Sequence, residues 1–338
     1  MGKTHTGVVK MKRDQSLEKA HSQAVKTKNS SYDLTIIIPH FNMPQELGRL
    51  LDSIGCRNEV QIIVADDHSD RFLDQLAVCK EIYRHVLFLE TDRGKKGAGP
   101  ARNTALRHAK GKWLLFADSD DLFLPGWFDL LSPYMDTRYD LICFSPTSKK
   151  RDGTASKRHE RYERLVKNYL SSTYGGEERL RGHFSGPWSK LIRRSLIERN
   201  HIKFDEVFYS ADVMFSAKVG YYAGKITAVN TPFYCIIEHE GSMSQNKSGE
   251  VFCGRLRIAC KRELFFRKRF TKKQFNAYRR MCLLSCAKDA LKKGYDWQTI
   301  ATMQKIFREN HIPFVIINYR KRIDRLRAFS KRIIRSKV

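Results

Sequence analysis

The sequence predicts an α/β fold with a mostly parallel sheet flanked by helices. Three observations support this prediction: apolar runs of strand length, helical periodicity between them, and acidic residues where two of the runs end. Strands buried on both faces of a parallel sheet are continuous apolar runs rather than alternating ones. Their regular alternation with helical segments is typical of a doubly wound sheet.

The first elements follow one another closely. A strand is predicted over LTIIIP, residues 34–39, and a helix over 44–54, where apolar residues recur at helical spacing behind an early proline. A second strand begins at residue 60 and ends at Asp66 and Asp67. A helix over 72–83 and a short strand over 86–89 complete the first half of the pattern.

A further strand carries the most informative motif. The run GKWLLFADSDD, residues 111–121, is apolar up to Ala117 and then continues into Asp118, Ser119, Asp120 and Asp121. Ligands of open α/β sheets bind at the carboxyl ends of the strands. Asp118 and Asp120 lie two residues apart and can converge on Mg²⁺ or Mn²⁺, and through the metal on a diphosphate. The alternative is a solvated acidic turn that precedes a helix starting near Pro125.

A glycine-rich segment lies between the two acidic strand ends. Gly94, Gly97 and Gly99 precede a helix opened by Pro100. No Gly-Lys-Ser/Thr sequence ends this segment, which excludes a P-loop. A helix amino terminus attracts anions. The amino terminus of this helix would meet the two acidic strand ends at one edge of the sheet. We therefore expect a nucleotide-diphosphate site there.

The ordered motifs LTIIIPHFN, IIVADDHSD, GAGPARNTAL and FADSDD resemble the donor-binding half of glycosyltransferase family 2, the inverting enzymes of the GT-A fold. This resemblance covers residues 33–145. Residues 186–206 and 209–223 are similar to the acceptor half of that family. The resemblance implies a Rossmann-like GT-A fold, a nucleotide-sugar donor and a divalent cation.

The resemblance also implies roles for single residues of the donor site. Pro39 and Asn42 would form the floor under the nucleotide, and Asp66 would accept a hydrogen bond from a uracil ring. Arg102 and Asn103 would face the base or the diphosphate.

The metal ligands follow from the same resemblance. Asp118 would contact the ribose or the metal, and Asp120 would bind Mn²⁺ or Mg²⁺ bridging both phosphates. The cation neutralises charge on the departing nucleoside diphosphate. His68 stands where the family has glycine, and a tight turn is less easily formed there.

An inverting transfer needs a base that takes the proton of the acceptor hydroxyl. The family resemblance implies an acidic pair at the start of a helix, and this chain has Ala211 followed by Asp212 there. Asp212 is the predicted base. Asp205 and Glu206 are the alternatives, and an acid that only complements the helix dipole is another interpretation of Asp212.

Two aromatic residues are candidates for the acceptor pocket. His183 and Trp188 would line it because aromatic faces suit sugar rings, although Trp188 fits the core equally well. His239 belongs to a segment that resembles the loop closing over the donor in this family, and is predicted to be a surface histidine.

The predicted organisation has three parts: a flexible arm over 1–30, a transferase domain over 31–245, and a basic helical region over 246–338. The domain divides into a donor-binding half, 31–145, and an acceptor half, 146–245. Eight cysteines without a C-x-x-C pair indicate a reducing compartment. No apolar run of 18 residues and no signal peptide is present.

The net charge of +27 is concentrated near the end, where residues 255–338 hold 25 lysines and arginines against five acids. Residues 319–338 combine basic residues with one apolar stripe: Ile323, Leu326, Phe329, Ile333 and Ile334. Such a helix favours binding to an anionic membrane surface. Nucleic acid is the rival partner, and we expect none. The expected location is cytoplasmic, peripheral on the inner face of the cell membrane.

Two function classes remain. The first is a metal-dependent inverting glycosyltransferase that moves a sugar, as from a UDP-sugar, to a glycan or lipid-linked glycan in cell-surface polysaccharide biosynthesis. The second is a non-catalytic, basic transferase-like protein that binds nucleic acid or anionic membrane. The acids Asp66, Asp118, Asp120 and Asp212 are all present, which favours the enzyme.

Overall fold

The computed structural model describes residues 32–239, 246, 248–279 and 294–311. The predicted arm over 1–30 and the predicted amphipathic helix within 319–338 lie outside the described residues. In chain order the strands are β1 Leu34–His40, β2 Val60–Asp66, β3 Leu87–Glu90, β4 Trp113–Phe116, β5 Leu122–Phe123, β6 Leu141–Phe144, β7 Thr147–Lys150, β8 Lys190–Arg193, β9 Ile226–Val229 and β10 Tyr234–Glu238.

The helices alternate with these strands through the first half of the chain and dominate its end. They are α1 Pro44–Ile54, α2 Leu73–Ile82, α3 Ala98–Leu106, α4 Trp127–Met135, α5 Glu160–Leu170, α6 Gly176–His183, α7 Arg194–Arg199, α8 Ala211–Tyr222, α9 Gly249–Arg267, α10 Lys272–Tyr278 and α11 Trp297–Glu309. The described part of residues 246–338 is mainly helical. Within the described residues, no helix has the length and apolar character needed to cross a membrane.

The main sheet of the described chain has the strand order β3-β2-β1-β4-β8-β6-β9. Neighbouring strands run parallel except at β8, which is antiparallel to both β4 and β6. The predicted mostly parallel sheet is confirmed. The sequence did not predict the reversed strand or a second sheet, ordered β5-β10-β7, because their pairing is between distant segments.

The register of the sheet brings the functional strand ends to one edge. His40 at the end of β1 lies opposite Asp66 at the end of β2, and Ile37 lies opposite Phe116 at the end of β4. The acidic segments that follow β2 and β4 therefore come to the same edge of the sheet, as the sequence predicted.

The strands that form this edge are held by a buried hydrophobic core. Trp113 is fully buried, and its indole nitrogen donates to the carbonyl oxygen of Met135 at 2.8 Å. At the other end of β4, Phe116 packs edge-to-face against Phe204 and Phe215, both with ring centroids at 5.2 Å. Because Phe215 belongs to α8, this packing joins the donor-side strand to the helix that carries Asp212.

Candidate active site

A cleft runs along the carboxyl edge of the main sheet. It consists of two adjoining cavities of about 450 and 560 Å³, which we call the Asp120 cavity and the Asp212 cavity after an acid in each. Ala98, Arg102, Asp118 and Arg158 line both of them. The cavities are therefore two ends of one site.

The Asp120 cavity is built from the turns that follow β1, β2 and β4. Its lining includes Pro39, Asp67 and Asp118, together with Asp120. Oδ2 of Asp120 lies 2.8 Å from Nε2 of His239, whose side chain is only 11% exposed. The interpretation of His239 as a surface histidine was therefore wrong: pairing of β10 in the second sheet brings it to Asp120 from 119 residues away.

Asp118 is held from two sides. Its Oδ1 accepts a hydrogen bond from Arg102 at 2.6 Å, and the Arg102 side chain is 8% exposed. Its backbone N–H donates to the hydroxyl of Tyr234 at 2.9 Å. A charge-assisted hydrogen bond from a buried guanidinium fixes the carboxylate in one orientation. The side chain of Asp118 is therefore held in one conformation at the cleft.

Asp121, next to the metal-ligand candidates, has a structural role. It is 3% exposed, and its two oxygens accept from the Tyr234 hydroxyl and the Ile237 backbone N–H, both at 2.7 Å. Burial raises the pKa of Asp121 well above its usual value, and the neighbouring Asp120 and Asp118 raise it further. The buried bonds tie the acidic turn to β10.

We expect Tyr234→Phe to loosen this acidic turn. The substitution removes one hydroxyl that bonds both the Asp118 N–H and the Asp121 carboxyl, leaving two polar groups without that partner. The free energy of unfolding should fall by about 1–3 kcal/mol, measured by urea denaturation. Phe123→Leu, in the same aromatic cluster, is the control: it removes no hydrogen bond, so it should lower stability through packing alone.

Asp66 and Asp67 lie side by side at the end of β2 but point to different partners. Asp66 accepts from His40 at 2.7 Å and from the Ser69 hydroxyl at 2.6 Å. Burial alone would raise the pKa of Asp66, but these hydrogen bonds outweigh it and lower the pKa. Asp67 accepts from the Gly97 N–H at 2.6 Å and so joins β2 to the start of α3.

Two of the predicted donor residues act on the loops around the cleft. Asn42, with φ 53°, accepts from the backbone N–H groups of Asp70 and Arg71 and fixes the turn after β2. Asn103 makes two hydrogen bonds with the backbone of Phe204, at 2.9 and 3.0 Å. Neither asparagine lines either cavity, whereas Pro39 and Arg102 do.

The turn after β2 accommodates His68 in the left-handed region. Its φ is 58°, a backbone conformation that glycine adopts most easily. Nδ1 of His68 lies 2.9 Å from Oε1 of Glu90 on the neighbouring strand β3. This contact offsets part of the conformational cost that the sequence indicated.

Asp212 is the second residue of α8 and lines the other end of the cleft. Burial raises the pKa of Asp212; Arg102 and Lys190 oppose this rise, and Asp118 adds to it. A carboxylate with a raised pKa is a stronger base than an exposed one.

The two alternative bases are occupied elsewhere. Asp205 pairs with Lys261 and Glu206 pairs with Lys95, each at 2.6 Å. Neither acid lines either cavity. Among the three acids that the sequence singled out as bases, the geometry favours Asp212.

Lys190 is a buried cation that the sequence analysis missed. It is 2% exposed, and its Nζ donates to the Phe184 carbonyl oxygen at 2.6 Å. Burial lowers the pKa of Lys190 to about 8, and Cys143 and Asp212 oppose this shift. Its burial was hard to predict because β8 begins and ends with a cation, Lys190 and Arg193, which is more typical of an exposed strand.

The two aromatic candidates for the acceptor pocket lie in packed surroundings. Trp188 is 4% exposed and stacks on Tyr234, with ring centroids 5.7 Å apart. His183 stacks on Tyr278 at 4.4 Å, and burial lowers its pKa to about 3. Neither ring lines either cavity. Trp188 packs in the core, and the partly buried His183 packs against Tyr278.

The residues present suit a divalent cation bound together with a diphosphate. Asp118 and Asp120 line the same cavity, and Mg²⁺ is typically held by one or two carboxylates plus substrate phosphates. Among the described residues no group of three or more His, Cys, Asp or Glu side chains is placed to hold a metal without a substrate. Asp118 and Asp120 therefore suit a divalent cation whose remaining ligands come from the nucleotide diphosphate.

Comparison with known proteins agrees with this geometry. A cholesterol galactosyltransferase of Borreliella burgdorferi is 26% identical over 231 residues, which cover 64% of this chain and 63% of that protein. A poly(ribitol-phosphate) β-N-acetylglucosaminyltransferase of Staphylococcus aureus, TarS, is 27% identical over 219 residues, 61% of this chain and 36% of TarS. The matched region spans less than two thirds of the length of the first curated relatives.

Solved structures share the fold. A crystal structure of TarS with UDP-GlcNAc has a TM-score of 0.63 at 20% identity, covering 82% of this chain and 80% of that one. A mannosyltransferase of Pyrobaculum calidifontis with GDP-Man and Mn²⁺ has a TM-score of 0.53 at 15% identity, covering 86% of each chain. Residues 35–200 match the profile of Glycosyl transferase family 2. With its GT-A fold and its acidic cleft, this chain belongs to glycosyltransferase family 2.

Proposed function

We propose that this protein is a metal-dependent inverting glycosyltransferase that transfers a sugar from a UDP-sugar to a glycan or lipid-linked glycan. The observation that carries the proposal is the continuity of the cleft: Asp118 lines both the cavity of Asp120 and the cavity of Asp212. A donor bound at one end would place its anomeric carbon toward the base at the other.

In this mechanism Asp212 takes the proton from the acceptor hydroxyl as its oxygen attacks the anomeric carbon. The bond from that carbon to the donor phosphate breaks, and the nucleoside diphosphate leaves with the electron pair. Asp118 and Asp120 would hold a cation that neutralises this leaving group. Arg102 orients Asp118 through their 2.6 Å contact and adds positive charge beside it.

The choice of UDP rests on two supports. TarS, a family member of the same fold, was crystallised with UDP-GlcNAc. In this chain His40 and Ser69 lower the pKa of Asp66, which would accept from a ring N–H of uracil. Asp66 itself lines neither cavity, and its neighbour Asp67 lines the Asp120 cavity. Relatives that build surface polymers, TarS among them, support a role in cell-surface polysaccharide biosynthesis.

The proposal is tested by donor hydrolysis. We expect the purified protein to hydrolyse one UDP-sugar from a panel in the presence of Mn²⁺, slowly because water replaces the acceptor. Addition of EDTA should remove the activity and added Mn²⁺ should restore it. A chain that binds no nucleotide sugar with any divalent cation would contradict the proposal.

We also propose that residues 319–338 attach the enzyme to the inner face of the cell membrane. Each basic residue near an anionic surface contributes about 1 kcal/mol, and the apolar stripe adds buried area. Deletion of 319–338 should release the protein from vesicles that contain phosphatidylglycerol while donor hydrolysis continues. Equally tight binding to neutral vesicles would contradict this attachment. Binding to the anionic vesicles that stays unchanged in about 0.5 M salt would also contradict it.

A further inference from the structure

The Asp212 cavity contains arginines for which the proposed reaction gives no role. Arg158, Arg161 and Arg262 all line it. Within the residues that the structure describes, none of the three forms an ion pair with a carboxylate. The Nε of Arg262 is buried there without a hydrogen-bond partner. Arg158 and Arg262 are half-buried and Arg161 is exposed, so their charged groups are open to the cavity. Three cations around one cavity repel each other unless an anion lies between them, so their grouping points to an anionic ligand.

Arg161 is fixed relative to the proposed base. Its guanidinium donates to the Ser185 hydroxyl at 2.7 Å and lies 4.4 Å from the ring centre of Tyr162. The carbonyl oxygen of Ser185 accepts from Ser216 at 2.8 Å. Ser216 lies one turn after Asp212 on α8, so both share a face. A group bound by Arg161 would therefore stand at a set position from Asp212.

Arg262 belongs to a different element of the cavity lining, the helix α9. Arg255, Ala259 and Arg262 of α9 all line the cavity at spacings of four and three residues, which is one helical face. The small side chain of Ala259 leaves room between the two arginines. The positive charge of these arginines also acts on His183. Burial is the main cause of the lowered pKa of His183, and Arg262 and Arg161 lower it further.

We infer that the Asp212 cavity takes an acceptor that carries a phosphate ester, bound by Arg161 and Arg262 with its hydroxyl directed to Asp212. A guanidinium pairs with two oxygens at once. The oxygens of a phosphate ester are arranged tetrahedrally, so two guanidinium groups can approach it from different directions, whereas the two oxygens of a carboxylate lie in one plane. This inference rests on the proposed function, since Asp212 must be the base for the hydroxyl to matter.

The phosphate could belong to a phosphodiester polymer or to a lipid-linked acceptor. Binding of a synthetic glycerol-phosphate trimer, measured by calorimetry, tests the first source. Dihexanoyl phosphatidylglycerol, a short-chain lipid that dissolves as single molecules and presents no membrane surface to residues 319–338, tests the second. Maltotriose is the neutral control and trigalacturonate the carboxylate control. We expect the trimer to bind at least about tenfold more tightly than either control. Maltotriose lacks the charge that strengthens these hydrogen bonds, and trigalacturonate lacks the tetrahedral oxygens that two guanidinium groups can share.

Three variants separate this site from the donor site. Arg161→Gln and Arg262→Gln should each weaken trimer binding about tenfold, with UDP affinity in Mn²⁺ and the thermal midpoint unchanged. Arg257→Gln is the matched control on α9: its guanidinium lies 3.6 Å from Glu309, outside the cavity, and trimer binding should be kept. Binding of the short-chain lipid that both cavity variants lose supports a lipid-linked source, and trimer binding that both variants weaken supports a polymer.

Three results would overturn the inference: maltotriose binding as tightly as the trimer, trigalacturonate binding more tightly, or UDP affinity falling as much as trimer affinity in the variants. The last would assign the arginines to the donor. Loss of the proposed function would look different, since a chain without Mn²⁺-dependent donor hydrolysis could still bind the trimer through both arginines.

Discussion

Asp120→Ala should reduce sugar transfer by about 10²–10³-fold or more. Asp120 lines the cavity with Asp118 and is the second carboxylate available to a cation bound with the diphosphate. A cation there supplies several kcal/mol of charge stabilisation to the leaving group, and each 1.36 kcal/mol corresponds to tenfold in rate. The rate of donor turnover over a Mn²⁺ titration is the measurement.

The fold should tolerate this change because Asp120 supports little packing. Its one described partner is His239, at 2.8 Å. The thermal midpoint and the circular dichroism spectrum should stay close to those of the unmodified protein. Asp136→Ala is the matched control: its side chain is 97% exposed and lies outside the cleft. Full turnover in Asp120→Ala, or in EDTA, would contradict metal binding at this residue.

Asp212→Asn should lower kcat about 10²-fold or more, with the affinity for UDP nearly unchanged. The amide keeps the size of the side chain and removes its basicity, and a general base contributes roughly 10²–10⁴-fold. Asp205→Asn and Glu206→Gln are matched controls, since those acids pair with Lys261 and Lys95. A collapse of UDP affinity in Asp212→Asn would instead assign Asp212 to the donor site.

The pH dependence gives an independent test of the same base. Because burial raises the pKa of Asp212, the acidic limb of the kcat profile should lie above the ordinary range of an aspartate near 3.9. A group whose pKa is higher in the folded than in the unfolded chain stabilises the fold below its unfolded pKa and loses that contribution as pH rises through the folded value. Asp212→Asn should therefore be at least as stable at pH 7, and its rate should lose the acidic limb.

The sequence alone predicted the first half of the fold closely. The helix predicted over 44–54 is α1 with the same bounds, and β2 ends at Asp66 as its apolar run indicated. The prediction succeeded there because local periodicity and burial agree: each apolar run pairs with a neighbour close along the chain. The joining of two acidic strand ends at one edge followed from parallel topology alone.

The second half was harder to predict because its contacts are distant. The pairing of β8 between β4 and β6 reverses one strand, and no local pattern encodes which strand it joins. His239 reaches Asp120 only because β10 pairs with β5 and β7 in the second sheet. His183 and Trp188 have aromatic rings that suit a sugar, but Trp188 packs in the core and His183 packs against Tyr278. The sequence does not show which aromatic residues face a cavity and which pack against other side chains.

What the sequence determined is the order of strands and helices, the family, and the acids of the cleft, since these depend on short-range periodicity and on motifs that are contiguous. The tertiary structure decided which of the three candidate acids faces the cleft: Asp212 lines it, whereas Asp205 and Glu206 form ion pairs with Lys261 and Lys95. It also decided that the basic C-terminal region reaches the cleft: Arg262 lines the cavity with Asp212 across 50 residues of chain. Such contacts arise from packing between helices, and no local sequence pattern specifies them.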